Sequence, residues 1–288
     1  MINFIWSYYL HWSIYLTIEE KENHHKLTLK ILILGLILSA IIANSVIIFS
    51  DPHKKHSTAI WILNITAAVA SSLAIIAVCR YGVHGLHGKS YLLLTLGLIS
   101  WFSAELTLLY YYYALHIEEQ RLISLTDGFW FAGYIFLALH LSAVLHSLRG
   151  TIKPRIVVIV SIVTILFVIY NVFNLVSSEF LVDVDFAAFI VTVAYPILDL
   201  ILIIPSAIIL VSLRRDYQHS VPWFLSSLSL LVNAVADDGY VIDFVNANSQ
   251  NLWVWDLFYV TDFIIMAGAL FWYNKFHISN EIRKTRIQ

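Results

Sequence analysis

The sequence predicts an all-α fold, a polytopic membrane helix bundle with eight transmembrane helices. Hydrophobic residues make up 60% of the chain and charged residues only 12%, against about 25% charged in an average soluble domain. The mean hydropathy is +0.79. Eight separate apolar segments are each long enough to cross a bilayer. This composition leaves too little polar surface for a soluble globule.

The predicted spans follow from length, because a helix that crosses the hydrocarbon core needs about 20 mostly apolar residues. They cover approximately residues 27–50, 58–80, 90–115, 122–147, 155–175, 184–213, 222–246 and 252–275. The loops between them are short and polar. We therefore expect one membrane domain at 27–276, preceded by segment 1–26 and followed by a short basic cytoplasmic tail at 277–288.

The first 26 residues predict an amphipathic helix lying in the membrane interface. Asn3, Ser7 and His11 recur on one helical face, and the other faces are apolar, a pattern typical of interfacial helices. No basic segment precedes the apolar run, so we expect no cleavable signal peptide. A ninth span over residues 1–18 is the alternative.

The orientation follows from the basic residues, since cytoplasmic loops carry the excess of lysine and arginine. With eight spans, one side has only Lys54, Lys55 and Arg121. The other side has Lys21, Lys26, Lys30, Arg80, Lys89, Arg149, Lys153, Arg155, Arg214, Arg215, Lys275, Arg283, Lys284 and Arg286. The sequence thus predicts a protein of a prokaryotic cell membrane with both termini in the cytoplasm.

Carboxylates lie inside the predicted spans, as in "SLTDGFWFAGYIFLALHL" at residues 124–141. Each costs roughly 2.5–3.5 kcal/mol at a helix centre on insertion scales, and no lysine or arginine is predicted at the same depth. They can be protonated, hydrogen-bonded to tyrosine and tryptophan, or exposed to a water-filled cavity. Their similar depth, in the outer half or near the middle, predicts one outward-facing acidic and aromatic pocket.

The spacing of residues along each helix predicts which aromatic side chains lie on the same face as these acids. Trp101 precedes Glu105 by one turn, and Tyr195 precedes Asp199 by one turn. Tyr134 shares a face with Asp127. Asp256 and Asp262 are six residues apart and cannot point the same way, so we expect one of them to be structural. The predicted ligand-binding set is Trp101, Glu105, Asp127, Tyr134, Tyr195, Asp199, Asp237, Asp238, Asp256, Tyr259 and Asp262.

Two similar segments suggest an internal repeat. "DGFWFAGY" begins at Asp127 and "DLFYVTDF" begins at Asp256, and each follows a helix that carries an acid. Spans three and four would then correspond to spans seven and eight. This is a four-plus-four parallel repeat of the kind found in some transporters.

Four motifs resemble a multi-pass membrane sensory domain found N-terminal to GGDEF (diguanylate cyclase) and histidine kinase modules. They are "WFSAELTLLYYY", "SLTDGFWFAGY", "AYPILDLILIIP" and "WDLFYVTDFIIMAGALFWY". The residues that match are Glu105, Asp127, Gly133, Tyr134, Tyr195, Pro196, Asp199, Asp256 and Tyr259. The family's Pro-Ser before the aspartate is here Ile123-Ser124. The sequence carries no output module of that kind, so the resemblance implies a sensor that signals through a separate partner.

Two other functions remain open at this point. "DGFWFAGYIFLALHL" resembles, faintly, the Asp–Gly–His helix of lysoplasmalogenase-like membrane proteins, with His140 as the histidine, and paired carboxyls could act as general acid and base. A proton or cation transporter would need acids in the inner half of the membrane, where none are predicted. We expect no catalytic residue and leave the enzyme question undecided.

The sequence names no cofactor and predicts no metal ligand. Cys79 is the only cysteine, which excludes an internal disulfide. Lys30 and Lys275 lie at helix ends, too shallow for a retinal Schiff base, and only His140 is deep enough for haem. The expected partners are the lipid bilayer and either a cytoplasmic signalling protein or a second copy of the chain, and the basic face favours anionic lipid over nucleic acid.

Overall fold

The protein is described by a computed structural model that covers residues 26–116, 124–176, 186–213, 220–245 and 252–278. Within these ranges the chain is helical and contains no β-strand. The predicted all-α class is therefore confirmed. The predicted interfacial segment 1–26, apart from its last residue, and the predicted tail 277–288 beyond Ile278 lie outside the described residues.

Eight helices account for the described chain. They are α1 (Lys26–Ile48), α2 (Lys55–Tyr81), α3 (Gly85–Ala114), α4 (Leu125–Ser147), α5 (Pro154–Val176), α6 (Phe186–Ser212), α7 (Val221–Val245) and α8 (Trp253–Trp272). A 3₁₀ turn, Pro52–Lys54, leads into α2, and one π-helical turn, Tyr273–His277, continues α8.

Six helical segments of the described chain are long and apolar enough to cross a membrane. They are Lys26–Ile48, Pro52–Tyr81, Gly85–Ala114, Leu125–Ser147, Val193–Ser212 and Trp253–His277. An apolar helix over Pro154–Tyr170 is shorter. α7 is long enough at 25 residues, but it carries three aspartates and several serines. A multi-pass membrane protein is thus supported, and the count of eight spans stays a prediction.

Six of the helices form a closed ring. Going round it, α2 packs on α3, α3 on α4, α4 on α6, α6 on α7, α7 on α8, and α8 returns to α2. α5 lies outside this ring against α6. α1 lies outside against α8, where Asn44 Nδ2 donates to Thr261 Oγ1 at 3.0 Å. Most of the apolar side chains of α1 are exposed, as expected for a helix in contact with lipid.

Small residues bring the ring helices close together, as is usual in membrane bundles. α2 presents a buried alanine face, consisting of Ala59, Ala67, Ala70, Ala74 and Ala77. Where α3 meets α4, a Cβ atom at Gly97 would lie 2.7 Å from Leu137 Cγ. Leu137, Leu141, Leu230 and Leu270 are almost fully buried, so an apolar layer fills the middle of the ring.

Candidate functional site

Four ring helices meet at a hydrogen-bonded group of tyrosines and carboxyls. The hydroxyl of Tyr134 on α4 donates to Asp199 Oδ1 of α6 at 2.7 Å and also contacts Asp237 Oδ2 of α7. From α8, the hydroxyl of Tyr259 donates to Asp237 Oδ1 at 2.5 Å. Asp199 and Tyr134 are buried, with exposures of 0% and 3%. The acids of α6 and α7 are thus held by tyrosines from opposite sides.

The hydrogens in this group can be counted. The carboxyls of Asp199 and Asp237 interact electrostatically, and both reach the hydroxyl of Tyr134. Tyr134 has a single proton to donate, so it can satisfy only one of the two. The second contact needs a proton that a pair of carboxylates lacks. Asp199 and Asp237 therefore share at least one carboxylic proton.

Asp127 joins the group through Tyr195. The hydroxyl of Tyr195 on α6 donates to Asp127 Oδ1 at 2.6 Å and also interacts electrostatically with Asp237. The other oxygen of Asp127 accepts the backbone N–H of Ser124 at 2.7 Å, closing a capping box at the start of α4. Hereafter the tyrosine–carboxyl network means Asp127, Tyr134, Tyr195, Asp199, Asp237 and Tyr259.

Glu105 borders this network from α3. Its side chain is 6% exposed and lies near the indole of Trp130. It interacts electrostatically with Asp256 and Asp237. Asn64 of α2 donates to its backbone carbonyl at 3.2 Å. All six ring helices thus contribute to one polar layer.

Trp101 forms the aromatic wall of the layer. Its indole N–H donates to the carbonyl of Trp130 at 3.2 Å, and its ring meets that of Tyr134 edge to face at 5.6 Å. A Cβ atom at Gly133 would lie 2.2 Å from Trp101 Cδ1. The glycine therefore makes room for the indole against α4.

The remaining predicted acids occupy different surroundings. Asp262 is 1% exposed and bonds to Ser229 and Asn233, further along α7 and α8 from the network. Asp238 is buried and interacts electrostatically with Asp199. Asp256 interacts electrostatically with Glu105. Asp243, two residues before the end of α7, accepts from Trp255 Nε1 at 2.7 Å.

The ligand-binding set predicted from the sequence omits several residues that lie at the polar layer. Tyr240 interacts electrostatically with both Asp127 and Asp256, and its position three residues after Asp237 was the available signal. The predicted set also omits Trp130, whose carbonyl accepts the indole N–H of Trp101. The pattern Ser124-x-x-Asp127 is a capping-box signature that locates the start of α4 at Leu125 rather than near 122.

Histidines and aromatic rings gather at the opposite end of the ring. His87 Nε2 hydrogen-bonds the hydroxyl of Tyr273 at 2.8 Å, and its ring stacks on His277 at 5.1 Å. Trp223 lies within 6.1 Å of both histidine rings. Tyr91 stacks on Tyr273 at 3.7 Å. We call His87, Tyr91, Trp223, Tyr273 and His277 the histidine cluster; sequence reasoning did not find it.

His140 belongs to that end of the molecule and not to the network. It is 1% exposed, and its Nδ1 lies 2.9 Å from the hydroxyl of Ser90. The 13 residues between Asp127 and His140 span about 20 Å of helix. The two residues are therefore too far apart to act on one substrate bond.

The polar layer offers oxygen ligands without the geometry of a metal centre. Within the ranges that the structure describes, no group of three His, Cys, Asp or Glu side chains is arranged to hold a metal ion. The contacts described above come from tyrosine, tryptophan, serine and asparagine side chains, which suit hydrogen bonding.

The apolar helices and the buried polar layer define a class, that of integral multi-pass membrane proteins. No protein-family model matches this chain, and no match is found among curated proteins or solved structures. The resemblance to sensory membrane domains therefore stays a prediction from short motifs.

Proposed function

We propose that the protein is a sensory, ligand-binding membrane domain whose binding site is the tyrosine–carboxyl network with Glu105, Asp238, Asp256, Asp262 and Trp101 around it. The observation that carries this proposal is the position of the Tyr134 hydroxyl, which lies within hydrogen-bond distance of both Asp199 of α6 and Asp237 of α7 inside the ring. Ionisable residues at such depth are costly and mark functional sites by default.

The chemistry of the layer favours a small ligand that carries an amine or another organic cation. Several carboxyls supply negative charge and hydrogen-bond acceptors, while Trp101, Trp130 and the tyrosines supply ring faces. Aromatic faces attract organic cations by about 0.5–2 kcal/mol, more when the site is dry. Such a ligand would replace the shared carboxylic proton of Asp199 and Asp237 with its own positive charge.

Binding would be transmitted through the helices that the network joins. A ligand that separates Tyr134 from Asp199 and Asp237 breaks the bonds between α4 and the α6–α7 pair. Those helices would then shift relative to one another, since packed interfaces switch between discrete arrangements. We propose that the cytoplasmic end passes this change to a separate signalling protein or to a second copy of the chain.

The side of the membrane from which the ligand enters is proposed from the distribution of lysine and arginine. Their asymmetry predicts that the network lies toward the outside of a prokaryotic cell membrane and that both termini lie in the cytoplasm. An outward-facing cavity at the network is part of the proposal.

The test begins with native mass spectrometry and an absorption spectrum of the purified protein, to reveal any co-purifying molecule. Thermal unfolding in detergent is then measured against a panel of primary, tertiary and quaternary amines. We expect at least one amine to raise the melting temperature of the wild type and not of Asp199→Asn.

Asp51→Asn is the matched control. It also removes a carboxylate, but Asp51 caps the exposed turn before α2, and asparagine caps equally well. This variant should respond to the amine as the wild type does. If the amines stabilise Asp199→Asn as much as the wild type, the network is not the binding site.

A further inference from the structure

One face of α7 is polar over about half of its length. Ser226, Ser229, Asn233 and Asp237 follow one another at spacings of three, four and four residues, which places them on one side of the helix. The two serines and the asparagine are at most 5% exposed. Eleven residues correspond to about 16 Å of helix, roughly half of the hydrocarbon thickness. We call these four residues the α7 polar stripe.

Asp262 of α8 connects the middle of this stripe to its outer part. Ser229 Oγ donates to Asp262 Oδ1, and the amide of Asn233 donates to the same carboxyl. Asp262 also interacts electrostatically with Asp237. Two carboxyls at different depths are thus linked along one face of α7.

One end of the α7 polar stripe belongs to the tyrosine–carboxyl network, and the other end lies near the histidine cluster. At one end, Asp237 belongs to the tyrosine–carboxyl network and shares a proton with Asp199. At the other end, Ser226 Oγ donates to the carbonyl of Trp223 at 3.2 Å. The ring of Trp223 packs on His277 and His87 of the histidine cluster.

Two buried oxygens at the α7 polar stripe and the tyrosine–carboxyl network accept no hydrogen bond from the residues that the structure describes. Asn233 Oδ1 and Asp199 Oδ2 are buried and have no hydrogen-bond partner within the described ranges. Buried polar atoms are normally paired. Acceptors of this kind suit a route along which hydrogen bonds are exchanged.

We infer that the α7 polar stripe and Asp262 form a proton pathway between the tyrosine–carboxyl network and the histidine cluster. A proton leaves the Asp199–Asp237 pair and is accepted by the carboxylate of Asp262, which Asn233 and Ser229 hold in place. From there it passes by way of Ser226 to an imidazole of the histidine cluster, which releases it on the predicted inner side. The pair regains its proton from the predicted outer side, so each transfer restores the starting state.

The spacing suits such a transfer. Neighbouring stripe residues are three or four positions apart, or about 4.5–6 Å along the axis. That gap is no longer than two hydrogen bonds in series, so one bridging water suffices for each step along the stripe. The groups that face Asp237 are Tyr134, Tyr259 and Asp199, with Tyr195, Glu105 and Asp262 nearby. Proton conduction is a second activity and does not depend on the proposed amine ligand.

The experiment measures proton flux in proteoliposomes that contain a trapped pH-sensitive dye. A potassium gradient with valinomycin sets the membrane potential that drives protons inward. We expect vesicles with the wild-type protein to acidify several-fold faster than protein-free vesicles. Asp262→Asn and Asn233→Leu should bring the rate down to that of protein-free vesicles.

Ser71→Ala is the matched control, because Ser71 is a buried serine that bonds to the carbonyl of Leu98 between α2 and α3, away from the stripe. Its flux should equal that of the wild type. Each variant is first checked by circular dichroism and gel filtration. Should Asp262→Asn fail to fold, Ser229→Ala removes one bond to Asp262 and should lower the flux several-fold.

Two results would overturn this inference. One is a wild-type flux equal to that of protein-free vesicles, and the other is an undiminished flux in folded Asp262→Asn or, where that variant does not fold, in Ser229→Ala. Asn233 lies outside the tyrosine–carboxyl network, so amine stabilisation should persist in Asn233→Leu. A failure of conduction can therefore be distinguished from a failure of ligand binding.

Discussion

The hydroxyl of Tyr195 donates a hydrogen bond of 2.6 Å to Asp127 Oδ1. The other oxygen of the same carboxyl caps α4 through the backbone N–H and the hydroxyl of Ser124, at 2.7 and 3.1 Å. Asp127 thus uses both oxygens and fastens the first turn of α4 to α6. A negative charge is also favoured at a helix N-terminus, which explains how an acid is accommodated at the start of an apolar helix.

This arrangement predicts coupling between Ser124 and Tyr195. Ser124→Ala should destabilise the protein by about 0.5–2 kcal/mol through the lost cap, and Tyr195→Phe by about 1.5–3 kcal/mol through a lost bond to a carboxyl. Because both act on Asp127, the double variant should differ from the sum of the single variants by at least about 0.5 kcal/mol. Reversible denaturant unfolding in mixed micelles measures all three.

Ser142→Ala provides the control, since Ser142 is exposed and bonds only within α4, to the carbonyl of Ala138. It should change stability by less than about 0.5 kcal/mol. Strict additivity of Ser124→Ala and Tyr195→Phe would mean that Asp127 does not link the cap to α6.

A second prediction concerns the contact of Gly133 with Trp101. Gly133→Ala would place a methyl group 2.2 Å from the indole, and overpacking of this kind costs about 1–3 kcal/mol. The indole must move, so its bond to the carbonyl of Trp130 should break and the tryptophan fluorescence should change. Gly128 lies on the same helix, and a Cβ atom there would have no neighbour within 4 Å among the described residues. Gly128→Ala should therefore be neutral or slightly stabilising. Equal stability of the two variants would contradict this packing.

The fold class could be predicted because the bilayer imposes length and hydropathy on each helix. The predicted helix ends were less accurate than the fold class. At α3, polar residues extend the helix past its apolar part to Gly85, and at α4 the capping residue Ser124 sets the start of the helix. α7 is the instructive case. Three of the residues that make it too polar to count as an apolar span, Ser229, Asp237 and Asp243, bond to α4 and α8.

The site was predicted as a set of residues and not as a set of bonds. Helical periodicity placed Tyr134 and Asp127 on the same face of α4. Seven residues span about 10 Å of helix, however, so the two side chains are beyond hydrogen-bond reach of each other. The bonds cross between helices instead, from Tyr134 to Asp199 and Asp237. Such pairs depend on the order of helices in the ring, which sequence spacing does not reveal. The order α2–α3–α4 followed by α6–α7–α8 suits the four-plus-four repeat, which stays a prediction.

We predict no hydrolysis of lipid ethers or esters. His140 lies about 20 Å of helix from Asp127 and bonds to Ser90, so these two residues cannot act as an acid–histidine pair. Purified protein incubated with lysoplasmalogen should release no aldehyde above the rate of an empty-micelle control. Release that Asp127→Asn abolishes would favour a hydrolase over a sensor.

The predicted topology can be tested by labelling. In a Cys79→Ala background, single cysteines at positions Gln120 and Ser249 should react with a membrane-impermeant maleimide added to whole cells. A cysteine at Ser279 should react only after the cells are opened, because the basic residues predict a cytoplasmic tail. Labelling of Ser279 from outside would rule out the predicted orientation.

The last prediction tests the proton shared by Asp199 and Asp237. Infrared spectra of the protein should contain the carbonyl band of a protonated carboxyl, because Tyr134 cannot donate to both acids. Asp199→Asn should lose this band yet stay within about 1 kcal/mol of wild-type stability, since its amide can supply the missing donor. Asp199→Ala should cost about 1–3 kcal/mol more, because Tyr134 and Asp237 then lose a buried partner. The control Tyr110→Phe removes an exposed hydroxyl and should alter neither quantity. A protein without the band, or an asparagine variant as unstable as the alanine variant, would show that both acids are ionised and that another donor holds them together.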